Sequence, residues 1–163
     1  MIYIPTDNTP KLVQSRSKVY LPFVSYGLSK QEQLLNYIKL GKQNRADFIE
    51  TESLMKGAQF KAELMATTNK FGHFIDGHWP NQLASGFGCT HSYQLFGNQI
   101  ESIAAGSDDA KAIYEALLGS PQHKDHILGN GFFAEQTNVG VGFAYNKNST
   151  YQFYWVFWSA DCS

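Results

Sequence analysis

All five histidines of the chain, His73, His78, His91, His123 and His126, lie between positions 73 and 126, and the same region holds the run Glu101-Ser102-Ile103-Ala104-Ala105-Gly106. Imidazole is the side chain suited to proton transfer near neutral pH and the commonest metal ligand, so this is where chemistry is to be sought. Each group also has an ordinary reading: a hydrogen-bonded or surface histidine, and a solvated carboxylate near a helix start. The competing reading of Glu101 has it project into a cleft, where it orients a histidine or binds a cation. His123 and His126 are spaced to share one face of a short helix, but the Glu of a His-Glu-x-x-His zinc motif is missing.

Two other arrangements are weaker. Ser120 precedes Pro121 and lacks the Gly-x-Ser-x-Gly elbow of hydrolases, so it reads as a helix cap rather than a nucleophile. Cys89 lies two residues from His91 in a Gly-rich loop, a spacing that does not itself define a thiol–imidazole pair.

At 163 residues the chain fits one domain. A net charge of −1 and the absence of a Lys/Arg run argue against a nucleic-acid partner. No stretch approaches the ~18 apolar residues of a membrane span. Residues 1–11 have neither a basic segment nor an apolar core, so no signal peptide is expected within the chain. The two cysteines, Cys89 and Cys162, are either a disulfide fitting an oxidising compartment or two unpaired thiols.

The elements that must position these residues follow from periodicity and punctuation. Residues 1–28, with Pro5, Pro10 and Pro22, read as an extended N-terminal arm with at most one edge strand near Lys18–Val24; residues 29–163 read as the single domain. Ser29 and Glu32 form a capping box ahead of a helix over about 30–44. A second helix runs from Thr51 or Glu52 to a terminator at Gly72. The Gly- and His-rich stretch 71–97 is a long connection, of the kind that is functional or packed by its own side chains. A short helix is expected over Gln99–Ala105. Another follows, capped by Ser107 and stopped by Gly119, and Ser120-Pro121 starts a further one. Val139–Tyr145 and Tyr151–Trp158 read as a hairpin. Helices first and strands last make an α+β domain with an antiparallel sheet.

In this order, the parts resemble the CAP superfamily (cysteine-rich secretory, antigen 5 and pathogenesis-related proteins; SCP-like domains), in its short bacterial form, from about Gln31 to Ala160. The matching pieces are Ala58–Met65 for the second helix, Phe71-Gly72-His73, Ile100-Glu101-Ser102-Ile103-Ala104 for a Gly-Glu-Asn-Ile-Ala segment, Ser120-Pro121-Gln122-His123-Lys124, the Gly140-Val141-Gly142 strand and Tyr154–Phe157. The resemblance implies an α-β-α sandwich and a cleft built from His73, Glu101 and His123. The family's second acidic position falls at Ser120, and Ile100 and Ser102 replace the Gly and Asn of the Glu motif.

What this implies is a secreted, extracellular, non-enzymatic protein, monomeric, that binds a ligand, a partner or a divalent metal in that cleft. Two imidazoles and a carboxylate leave one position for water, a set suited to zinc. The alternatives are a hydrolase using a zinc-activated water or Glu101 as base, and a lipid or sterol carrier whose groove is lined by Trp79, Phe87, Phe132 and Phe133.

Overall fold

The run Phe153-Tyr154-Trp155-Val156-Phe157-Trp158 has no polar alternate, the pattern of a strand covered on both faces rather than one. The computed structural model describes residues 2–6, 9–13 and 27–163. In chain order the elements are β1 (Ile2–Thr6), β2 (Thr9–Val13), α1 (Lys30–Leu40), β3 (Ile49–Glu50), α2 (Glu52–Thr68), α3 (Pro80–Gly86), β4 (Glu101–Ala105), α4 (Ala110–Leu118), α5 (Pro121–Leu128), a 3-10 turn at Gly131–Glu135, β5 (Asn138–Tyr145) and β6 (Phe153–Ala160).

The strands form one sheet in the order β2-β1-β4-β6-β5-β3. β6 lies at its centre and both its faces are covered. On one face Tyr154, Val156 and Trp158 pack against Leu54, Ala58, Ala62 and Met65 of α2 and Leu83 and Ala84 of α3. On the other, Trp155 and Phe157 pack against Leu34, Leu35 and Ile38 of α1, Ile113 and Leu117 of α4, and Ile127 of α5. Helix layer, sheet and helix layer make the expected α+β, α-β-α sandwich. Its pairing is antiparallel except at β3, which runs parallel to β5.

Local chemistry explains most boundaries. Ser29 Oγ accepts from the Glu32 amide and the Glu32 carboxylate accepts from the Ser29 amide, the reciprocal cap that starts α1. α1 ends at Leu40 rather than near 44, and α2 ends on Asn69 in the left-handed region (φ 53°) rather than at Gly72. Asp109, not Ser107, caps α4: its Oδ1 accepts from the amides of Lys111 and Ala112, while Ser107 Oγ accepts from that of Asp109.

Two differences matter more. Where at most one edge strand was expected in the arm, β1 and β2 pair as an antiparallel hairpin, with Pro5 opposite Pro10, so the two N–H groups that proline lacks fall on one rung. The strand expected at Lys18–Val24 lies outside the described residues. The second difference is a correction at Gln99–Ala105, where the expected helix is the strand β4. All five residues of β4 are buried and paired to β6 from Glu101 opposite Trp158 to Ala105 opposite Tyr154. Ala-rich sequence favours helix only weakly, and sheet burial overrides it here. Asn98 fixes the start by accepting the amides of Ile100 and Glu101.

Cys89 and Cys162 form a disulfide, resolving the choice that the sequence left open. It ties the 71–97 connection to the C-terminus, beside hydrogen bonds from the Cys162 amide to Asn138 and from the Ser163 amide to the Thr90 carbonyl. Among the described residues no helix is long and apolar enough to cross a membrane.

Candidate functional site

Because β4 is a strand, Glu101 is its first residue, and its side chain shares a face with that of Trp158, its cross-strand partner. The Glu101 side chain is fully buried. The Trp158 indole N–H donates to Oε2 at 2.9 Å, and His73 Nδ1 lies 2.8 Å from Oε1. The same Oε1 is 3.8 Å from the Nζ of Lys61, whose side chain is also fully buried. The Lys61 amine donates in addition to the His73 backbone carbonyl. One buried lysine therefore holds both the carboxylate and the loop that delivers the imidazole. Burial lowers the pKa of the Lys61 ammonium, and the Glu101 carboxylate acts in the opposite direction.

His73 reaches this position through a tight connection after α2. Lys70 pairs with Asp76, the backbone of Ile75 and His78 exchanges two hydrogen bonds, and Asp76 and Gly77 both adopt positive φ. The His73 side chain keeps 18% of its surface exposed.

The third expected member, His123, sits in the first turn of α5. Ser120 occupies the N-cap position, but its hydroxyl turns to His123 Nδ1 at 2.8 Å instead of capping a backbone amide. Burial, and then the nearby His73, push the His123 pKa down to about 4. The ring is neutral at pH 7.

His126 belongs elsewhere. It is buried between Ser102 Oγ (2.7 Å from Nδ1) and Ser159 Oγ (2.8 Å from Nε2). The chain beyond it fixes its tautomer. Gln136 Nε2 donates to the Gln99 carbonyl, so Gln136 Oε1 accepts the Ser159 hydroxyl proton, and His126 Nε2 must donate to Ser159 while Nδ1 accepts from Ser102. Burial first, then Arg45, His123 and His73, hold His126 well below its ordinary pKa. The expected shared face of His123 and His126 is not a shared site.

Arg45, which nothing in the sequence singled out, anchors that network. Its guanidinium donates to the carbonyls of Gln136, Ile127 and His126 and to the side chains of Gln43 and Ser159, using all five N–H groups. Two of those carbonyls close α5, where a cation is favoured by the helix dipole. Burial lowers the Arg45 pKa to about 10, which leaves it charged at pH 7. Arg45→Met should strand these acceptors in the core and cost roughly 3–5 kcal/mol of stability by urea unfolding. A loss within about 0.5 kcal/mol, as for an ordinary surface substitution, would show that the network is dispensable.

The structure thus joins His73 to Glu101 and binds Ser120 to His123; among the described residues no hydrogen bond links the His123 ring to His73 or Glu101. Cys89, as half a disulfide, is no thiol nucleophile. The expected metal set does not fit Glu101 as a ligand: its oxygens are engaged by Trp158, His73 and the Lys61 amine. Among the described residues no group of three or more His, Cys, Asp or Glu is placed to hold a metal ion. The four aromatics expected to line a groove fall into three separate contacts: Trp79 on Phe74, Phe87 on Phe60, and Phe132 with Phe133. Lys61 carried a legible signal, since it falls in the buried stripe Leu54, Ala58, Lys61, Met65 of α2. Trp158 did not, because strand register is needed to place it opposite Glu101.

The layered sheet, with His73 and Glu101 joined at the start of the internal strand β4, has a CAP-type, SCP-like fold. An outer surface protein of Borrelia burgdorferi matches over 82% of this chain and 96% of its own, with a TM-score of 0.60 and 19% identity. An extracellular protein containing an SCP domain from Bacillus anthracis matches over 80% of this chain with a TM-score of 0.62 and 17% identity, and this chain spans 40% of it. At such identities the likeness is one of fold. No family model matches the sequence, and no curated protein does.

Proposed function

We propose that this chain is an extracytoplasmic SCP-type binding domain, not a hydrolase, whose cleft between His73 and His123 receives a ligand or a protein partner. The observation that carries the reading is the state of Glu101. The one carboxylate of the set is buried and engaged on both oxygens, so it is not free to take a proton from water. The Ser120–His123 pair does not replace it, because among the described residues no carboxylate is bonded to that imidazole to orient it as a base. What the site offers a ligand is the partly exposed ring of His73, with a buried, neutral imidazole at His123.

The compartment is supported by the Cys89–Cys162 disulfide, a bond that persists where thiols are oxidised. The names of the two structural relatives, one outer surface and one extracellular, point the same way. Purified protein offered peptide and ester libraries is expected to give no turnover above the blank. Turnover that disappears in Glu101→Gln or His123→Ala would replace the binding reading with the hydrolase. Both cysteines of protein taken from its own cells should resist maleimide until a reductant is added, and freely reactive thiols would remove the compartment assignment.

A further inference from the structure

We propose that Lys61 is the resident cation of this site: its buried amine stands beside Glu101 where a divalent metal would have to stand, so the carboxylate positions His73 and binds no metal. The inference does not depend on what the cleft receives.

The Glu101 carboxylate has its indole donor on one oxygen, and His73 with the lysine on the other, all inside the core. A divalent ion on Oε1 would have to displace His73 and sit next to an ammonium already 3.8 Å from that oxygen. Like charges at this range inside a protein repel by several kcal/mol even at an effective dielectric near ~20. Lys61 and Glu101 together carry no net charge, whether the proton rests on the amine or on the carboxylate. The pair therefore offers no unbalanced field to a metal. Lys61 cannot readily swing away, because its amine also holds the His73 carbonyl from within α2. With the carboxylate as acceptor, His73 Nδ1 carries a proton, and Nε2 is the ring nitrogen on the side away from Glu101 of a partly exposed ring. Lys61 acts through Glu101 and the 73 loop, as a positioning residue.

Removing the lysine should convert the site. In Lys61→Met a buried carboxylate loses its counter-charge and is expected to recruit an external cation with His73. Cobalt(II) titrations followed by its visible absorption should then show affinity roughly tenfold or more above that of the parent protein. The gain should vanish in Lys61→Met/Glu101→Gln. A folded Lys61→Met without the gain, or a gain that Glu101→Gln leaves intact, overturns the proposal. The parent protein gives a test that needs no variant: the His73 Nδ1–H proton should stay bonded to Glu101, its resonance still observed, when zinc is added at neutral pH. A shift alone reports an ion on Nε2 with the Glu101 bond intact, whereas loss of the resonance on adding zinc would show that the ion displaces His73 from the carboxylate past Lys61, and the proposal would fail even if Lys61→Met does not fold.

Discussion

Gly142→Ala is expected to leave little folded protein at 25 °C. An alanine Cβ at this position of β5 would lie 2.1 Å from the Ala58 carbonyl oxygen, 2.3 Å from its carbon and 2.6 Å from the Gln59 nitrogen. All three are backbone atoms of α2, so no rotamer change relieves the clash and the helix itself has to lift. Gly140, two residues earlier on the same face, meets Leu54 and Met55 backbone in the same way, at 2.3–2.5 Å. α2 also presents a glycine of its own: a Cβ on Gly57 would come within 2.4 Å of the Trp158 ring. Helix and strand therefore touch backbone to backbone along β5 and backbone to ring at β6. Lifting α2 would pull Ala58, Ala62 and Met65 off Tyr154, Val156 and Trp158. Overpacking with flexible neighbours costs about 1–3 kcal/mol. Against a fixed helix backbone, and with the buried Lys61 on the same helix, the loss should reach roughly 4–5 kcal/mol, comparable to the whole stability of a marginal domain. Gly86→Ala is the control, since a Cβ there meets nothing within 4 Å, and it should be within ~0.5 kcal/mol of the parent. Urea midpoints compare the three proteins. A Gly142→Ala midpoint equal to that of Gly86→Ala would mean that α2 does not rest on β5 as described.

The same glycines show what a sequence exposes and what it hides. Gly140-Val141-Gly142 is recognisable as a strand, because valines and aromatics alternate through it, yet nothing local says that the glycines exist for an approaching helix. Ser29 with Glu32, Pro121 at the first turn of α5 and the β5–β6 hairpin were legible for the opposite reason: each is decided by residues within a few positions. β4 was misread because its Ala-rich tract is locally ambiguous, and only pairing with β6 settles it. The site divides along the same line. His73, Glu101 and His123 announce themselves by residue type. Lys61, Arg45 and Trp158, which determine what those three can do, are set by burial and register and are ordinary in the sequence apart from the place of Lys61 in an apolar stripe. The resemblance to the CAP superfamily pointed to His73, Glu101 and His123 but not to the lysine paired with Glu101.

The two buried histidines of α5 should make the domain lose stability steeply between pH 6.5 and 4. His123 has its pKa lowered from 6.5 to about 4, chiefly by burial and then by His73. His126 is held well below its ordinary value by burial first, with Arg45, His123 and His73 adding to it. In this window the unfolded chain binds a proton at each imidazole and the folded chain binds none, so the free energy of unfolding rises with pH. The stability is fully present above pH 6.5 and is lost as the pH falls through the window. His123 alone accounts for on the order of 3 kcal/mol, and each histidine contributes a slope of about 1.4 kcal/mol per pH unit. The depressed carboxylates Glu32, held by Ser29, and Glu52, held by Lys56, act in the same direction but chiefly below pH 4.5, the lowest pH of the experiment. The experiment is a set of urea unfolding curves at pH 7.5, 6.0, 5.0 and 4.5 for the parent protein and for His123→Asn. Asparagine places a polar atom near the position of Nδ1 and keeps a partner for Ser120 without titrating. The parent slope should approach two protons, and that of His123→Asn one. A parent protein equally stable at pH 7.5 and 4.5 would mean that both rings are charged in the fold. Neutral imidazoles at the cleft and in the Arg45 network would then be wrong together, because burial is the main cause of both shifts.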